Sequence, residues 1–180
     1  METSTQNKTT WAIDAAHSEI QFKVKHLVIS SVTGSFTNFS GTVEAGENFS
    51  DSKIIFEADI NSISTNNADR DKHLKSDDFF AVDKFPKLHF ESTSFIKGSG
   101  DEFILKGNLT MKGVTKVVEL KVEHGGVGTD PYSQVKAGFE INGVINRKDF
   151  GLTWGALTEA GGAVVSDEVK IHANIELLKK

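Results

Sequence analysis

The feature that most constrains the fold of this chain is an alternation of apolar and polar residues. From Ile20 to Lys25 every second residue is apolar, and seven later segments repeat the same rhythm. Because successive side chains of a β-strand point to opposite faces of the sheet, each segment predicts a strand with one apolar face. A sheet of such strands must close on itself or be covered by another layer.

Eight strands are predicted from this pattern, and most of the connections between them are short. They are Ser18–Ser30, Val32–Glu44, Lys53–Ile63, Lys87–Ile96, Glu102–Met111, Thr115–His124, Ser133–Ile145 and Asp167–Leu178. Consecutive strands with short links favour an antiparallel meander, and eight of them can close into a barrel. The alternation breaks between Phe36 and Phe39, which predicts a bulge near Asn38. The predicted fold class is all-β, an eight-stranded antiparallel β-barrel.

Two connections are long. Asn66–Phe80 contains the charged, helix-forming run Asp69–Lys75, which predicts one short helix followed by a plug of Phe79 and Phe80. The second long connection is Asn146–Ser166. In an antiparallel meander these two connections lie at the same end of the barrel. Long loops in compact domains are usually lids or binding loops, so the mouth of any cavity is predicted beneath them.

Composition excludes several classes of function. The chain has no cysteine, which excludes thiol catalysis, disulfides and cysteine-based zinc sites. Its net charge of −5 and the lack of a basic stripe argue against a nucleic-acid partner. No apolar run approaches the roughly 18 residues of a membrane-spanning helix, so stable membrane insertion is not expected. The 13 Phe residues, against one Tyr, favour an interior that makes few side-chain hydrogen bonds.

The ends of the chain set the predicted domain organisation. Residues 1–10 are polar and predict a disordered tail, and residues 11–180 predict a single barrel domain. The first ten residues contain neither the apolar region nor the cleavage site of a secretory signal. The sequence as written therefore predicts a cytoplasmic protein, and a periplasmic one if an upstream signal peptide was removed.

Candidate chemistry is sparse. The six histidines show no metal-ligand spacing and no GxSxG motif is present, so we predict no metal, no cofactor and no catalytic set. His26 falls on an apolar face near the mouth, either as a polar contact inside a pocket or as a packed core histidine. Arg147 is a candidate for a polar head group because a guanidinium fork suits phosphate or carboxylate, and His73 is a second. The other mouth cations are interpreted as a solvated surface: Arg70, Lys72, Lys75 and Lys148.

Several short segments together carry a family resemblance. They are Trp11–Asp14 with His17–Ser18, Phe22 with His26, Gly34–Phe36, Phe39–Gly41, Asp71–Leu74, Asp78–Phe80, Phe85–Ser92, Gly107–Thr110 with Lys112–Gly113, Arg147–Leu152 with Trp154, and Asp167 with Val169. In this order and spacing they resemble the bacterial YceI-like family, also described as polyisoprenoid-binding and lipocalin-like. The resemblance covers nearly everything from Trp11 onward. It implies a lipocalin-like barrel with a long apolar channel for an isoprenoid or fatty chain, and relatives that are often exported and dimeric.

The resemblance implies that the inward face of the strands lines this channel. The predicted lining residues are Ile20, Phe22, Val24, His26, Phe36, Ile54, Phe56, Ala58, Phe79, Leu88, Phe90, Phe103, Leu105, Leu120, Phe139, Ile141, Phe150, Trp154, Val169 and Ile171. The implied function is binding and carriage or sequestration of a polyisoprenoid, an isoprenoid quinone or a fatty-acid derivative, with a homodimer as an implied assembly. Two alternatives stay open: an enzyme acting on a lipid-like substrate through His26 or Arg147, and a structural or interaction barrel with a dry, filled core.

Overall fold

Strands dominate the computed structural model, which describes residues 8–27, 29–155 and 165–180. This part of the chain contains eleven strands and one α-helix. They are β1 (Thr9–Ile13), β2 (Glu19–His26), β3 (Ser30–Phe36), β4 (Phe39–Ala45), β5 (Lys53–Asp59), β6 (Ile63–Ser64), α1 (Ala68–Lys75), β7 (Lys87–Lys97), β8 (Glu102–Met111), β9 (Val114–Thr129), β10 (Val135–Asn146) and β11 (Val165–Lys179). Among the described residues, no helix has the length and the apolar character needed to cross a membrane.

The strands close into a barrel. Strands β1, β4, β5, β7, β8, β9, β10 and β11 pair in that order, all antiparallel, and β1 also pairs with β11. Trp11 makes the closure, because it lies opposite Val43 on one side and Lys179 on the other. The predicted eight-stranded antiparallel barrel is confirmed.

Three barrel positions are each filled by a pair of short strands, and one of them is shared by β5, which pairs with β4, and β6, which pairs with β3. β11 pairs with β1 through Leu177–Lys179 and with β2 through Val165–Asn174, so β1 and β2 succeed each other along it. β3 and β4 follow each other in the same way, and the bulge predicted near Asn38 is a break between them. The prediction missed β1. Thr9 and Thr10 belong to it, so the barrel begins before residue 11, while residues 1–7 of the predicted tail lie outside the described chain.

The apolar faces point inward as the alternation predicts. Along β8 the residues Phe103, Leu105, Leu109 and Met111 are all buried, and their polar neighbours are more exposed. Gly107 completes this inward face, and a Cβ there would lie 2.4 Å from the ring of Phe90. The glycine therefore makes room for an aromatic ring from the next strand to lie flat against the wall.

The two long connections meet at one end of the barrel, as predicted. The first contains α1, where the Asn67 side chain accepts a hydrogen bond from the amide of Arg70 at 3.0 Å and caps the helix. Phe79 and Phe80 follow the helix and are buried. The indole ring of Trp154, from the second connection, lies 5.2 Å from the ring of Phe79. We call this end the mouth and the other end the floor.

An ion-pair cluster ties β10 and β11 to the turn that follows β1. The Lys136 ammonium lies 3.1 Å from Asp14 and 3.0 Å from Glu176, and the Asp14 carboxylate also contacts His17 at 2.8 Å. Asp14, His17 and Glu176 could group around a metal ion, but Lys136 already brings a positive charge to both carboxylates. The hydrogen bond from His17, aided by Lys136, lowers the pKa of Asp14, and hydrogen bonds to Glu176 and Asp14 raise the pKa of Lys136.

These pKa shifts predict that the ion-pair cluster stabilises the folded chain only within a range of pH. The pKa of Asp14 is lower in the folded chain, so its contribution is present above about pH 3.8 and is lost as pH falls through the folded value. The pKa of Lys136 is higher in the folded chain, so its contribution is present below about pH 10.5 and is lost as pH rises through the folded value. We expect Lys136→Met to lower the urea midpoint at pH 7 and to match the wild type in acid.

Lys121→Met is the matched control for this prediction. Lys121 is exposed on the outer face of β9 and has no ion pair within the described residues. Urea denaturation followed by circular dichroism at neutral and acid pH compares the two variants with the wild type. Equal midpoints for both variants at pH 7 would show that the cluster does not stabilise the barrel.

Candidate functional site

A cavity of about 460 Å³ occupies the barrel interior and reaches the mouth. Nearly all of its lining is aliphatic or aromatic side chain from the barrel strands and the two long connections. This volume lies within the roughly 300–1,000 Å³ range of small-molecule sites. The alternative of a dry, filled core is therefore wrong, because the interior side chains leave room for a guest.

The cavity is lined by most of the residues that were predicted to line it. All of the predicted residues do so except Ala58, Phe103 and Phe150. Ala58 carries only a methyl group and is 1% exposed. The ring of Phe103 stacks on Phe95 at 4.5 Å and faces a different cavity, and Phe150 is packed in the core within a short turn. Whether the remaining residues contact a ligand stays a prediction.

Several lining residues were not predicted. Ile13 belongs to β1, which the alternation was too short to reveal. Val122 and Leu109 follow the same inward alternation as their predicted neighbours and could have been found by extending it. His26 also lines the cavity, and its ring makes no hydrogen bond to any described residue. The geometry thus favours His26 as a pocket contact over a hydrogen-bonded core histidine.

Ring contacts join the two long connections over the mouth. His73, on α1, meets the edge of Trp154 at 4.9 Å and the edge of Phe79 at 5.1 Å. The Nε2 atom of His73 lies 2.8 Å from a carboxylate oxygen of Asp78. His73 was predicted to contact a head group, but in this arrangement one of its ring nitrogens already has a partner within its own connection.

Arg147 holds the second connection in place. Its Nε donates to the carbonyl of Ser166 at 2.9 Å, its Nη1 donates to Leu152 at 2.7 Å and Trp154 at 2.6 Å, and its Nη2 donates to Val165 at 3.4 Å. The side chain is buried, which lowers its pKa, and Asp167 at 3.9 Å counteracts that shift. Four of the five guanidinium N–H groups therefore bond to backbone carbonyls, which leaves one for a head group.

A second arginine lines the mouth with more of its donors uncommitted. Arg70 donates from Nε to the Thr65 hydroxyl at 2.8 Å and from Nη2 to the Thr65 carbonyl at 2.7 Å. Its Nη1 has no hydrogen-bond partner within the described residues. Asp71 anchors the same threonine by accepting from its amide at 2.8 Å and its hydroxyl at 2.6 Å. Arg70, which was interpreted as part of a solvated surface, is half-buried and lines the cavity at its mouth.

Comparison with known proteins places the chain among described families. The model of the YceI-like domain matches residues 11–177. Protein YceI of Salmonella newport is 42% identical over 164 residues, which span 91% of this chain and 82% of that protein.

Two solved structures share the fold. BcnA of Burkholderia cenocepacia superposes with a TM-score of 0.80 at 21% identity, over 91% of this chain and 98% of BcnA. A polyisoprenoid binding domain from Saccharophagus degradans, implicated in plant cell wall breakdown, superposes with a TM-score of 0.69 at 15% identity, over 96% and 100%. This chain has the same fold as these two proteins. The match of the domain model and of the Salmonella relative shows that the chain belongs to the YceI-like family.

Proposed function

We propose that this protein binds a long-chain hydrophobic amphiphile inside its barrel and carries or sequesters it. The observation that carries the proposal is the lining of the cavity, which is almost entirely apolar and is continuous from the mouth into the barrel. The ligand classes that fit are polyisoprenoids, isoprenoid quinones and fatty-acid derivatives. The description of the Saccharophagus degradans domain as polyisoprenoid binding supports the first of these.

Transfer free energy makes such a cavity sufficient for binding without many polar contacts. Each buried methylene group contributes about 0.8 kcal/mol, so ten of them contribute about 8 kcal/mol before costs. Ordering a flexible chain offsets part of this gain. The remainder still corresponds to useful affinity, which explains why no sharp recognition motif is needed in the sequence.

The polar groups of the mouth give the ligand a direction. Arg70 offers an uncommitted Nη1 at the mouth, and a guanidinium binds carboxylate or phosphate oxygen well. The inner wall offers rings and branched aliphatic chains, among them Phe90, Leu105 and Phe139. We therefore expect the head group at Arg70 and the hydrocarbon tail directed towards the floor.

No observation in the described residues favours the alternative of a lipid-acting enzyme. Arg147 was a candidate for that chemistry, but its guanidinium is bonded to four carbonyls and stays protonated, so it cannot act as a base. His26 lines the cavity among apolar neighbours such as Val24 and Val165. Binding is the function that these residues support best.

We expect a lipid to copurify with the protein. Protein purified without added lipid and then extracted with organic solvent should release a long-chain amphiphile, because an apolar cavity of this size captures hydrocarbon from the cell. Mass spectrometry of the extract identifies it. An empty extract, together with no binding on titration of the extracted protein with prenyl alcohols or fatty acids, would refute the proposed function.

We also expect the head group of the ligand to contact Arg70. Arg70→Met should weaken binding of a fatty acid by at least about tenfold, since a hydrogen bond to a charged group is worth roughly 1.5–3 kcal/mol. Binding of the fatty alcohol of the same length should change much less. Lys72→Met is the matched control, because Lys72 is exposed on the same helix and does not line the cavity. Equal losses for acid and alcohol would place the head group elsewhere.

A further inference from the structure

A second cavity of about 370 Å³ lies at the floor of the barrel. The inward faces of several strands pass from one cavity into the other. Along β9 the step is from Val122 to His124, along β8 from Leu105 to Phe103, along β7 from Phe95 to Lys97, and along β1 from Ile13 to Trp11. Because these are successive inward positions of the same strands, the two cavities lie end to end along one barrel axis.

Four rings in mutual contact lie between the two cavities, next to the stacked pair of Phe95 and Phe103. We call the four the aromatic partition: Trp11, Phe49, His124 and Phe139. Phe139 lines the main cavity, and its ring stacks on His124 of the second cavity at 4.7 Å. Phe49 meets both of these rings edge-on at 5.0 Å, and Trp11 lies 5.2 Å from Phe49. The main cavity thus ends at a wall of packed rings.

The partition is held by packing and not by hydrogen bonds between its rings. The Nε2 atom of His124 is buried and has no hydrogen-bond partner among the described residues. Phe49 is positioned by the loop between β4 and β5, where it and its neighbours Asn48 and Asp51 have φ angles of 61°, 54° and 51°. Non-glycine residues adopt this left-handed region at a cost, so the surrounding packing must hold the loop in place.

The space beyond the partition differs from the main cavity. Its lining includes Glu47, Lys97 and Asp101, all of which are exposed at the floor of the barrel. A hydrocarbon tail that entered it would meet charged groups beside the rings of Trp11 and Phe103. Each methylene group therefore gains more binding free energy on the mouth side of the partition than beyond it.

We propose that the aromatic partition sets the length of hydrocarbon chain that the protein binds best. This inference rests on the proposed lipid-binding function and adds a specificity determinant to it. Affinity should rise about fourfold for each methylene group that the main cavity takes up, and should stop rising once the tail reaches Phe139. Chains longer than this limit must bend or leave part of their length outside the mouth.

Binding of a homologous series tests this inference. Lipid-free protein is titrated with linear prenyl alcohols of increasing length from farnesol upward, and dissociation constants are measured by calorimetry. The wild type should show affinity that rises with length and then levels off. Phe49→Ala removes one ring of the partition and leaves space beside Phe139, so it should move the levelling point to a longer alcohol. Val122→Phe adds a ring on the mouth side of the partition and should move it to a shorter one.

Phe36→Ala is the matched control, because it removes the same ring from the side wall of the main cavity and leaves the partition intact. It should change affinity without moving the levelling point. If Phe49→Ala fails to fold by circular dichroism, Val122→Phe alone decides. Levelling at the wild-type length in the folded variants would overturn the role of the partition and leave lipid binding standing. Absence of binding by the wild type would overturn the proposed function itself.

Discussion

The pairing of β1 with two strands at once is the constraint on which the rest of the structure depends. Trp11 lies opposite Val43 of β4 and opposite Lys179 of β11, and this double pairing closes the sheet. Without it, β4 and β11 would present open edges with unpaired amide and carbonyl groups. The floor end of the barrel would then be open, while β2 and β3 would still pair at the mouth end. A segment of five residues thus closes the floor end of the barrel around the apolar interior.

Closure produces an interior whose two ends differ, and the difference gives the cavity a direction. At the mouth, Arg147 is buried and its charge is stabilised by four backbone carbonyls, so it fixes the shape of the second long connection. Arg70 lies at the same end with an uncommitted Nη1. At the floor, aromatic rings close the apolar space. An amphiphile with a polar head and a long tail matches this arrangement from end to end.

The long strands could be predicted because burial of only one face makes apolar and polar residues alternate along each of them. The sequence also predicted the shared position of the long connections because antiparallel topology alone determines it. β1 was missed, since TTWAI is too short to show a period. The contacts of Arg147 were missed for a different reason. The carbonyls that Arg147 contacts come from Leu152, Trp154, Val165 and Ser166, and only the tertiary fold brings them together. Residues 156–164 of the second predicted mouth connection lie outside the described chain.

We propose that a hydrocarbon chain fills the apolar space that the barrel encloses. A crystal structure of the protein purified without added lipid is the most direct test. We expect continuous tubular electron density along the barrel axis, beginning beside Arg70 and ending against Phe139. Ordered water within the cavity, or side chains that collapse to fill it, would show that no hydrocarbon chain occupies the barrel.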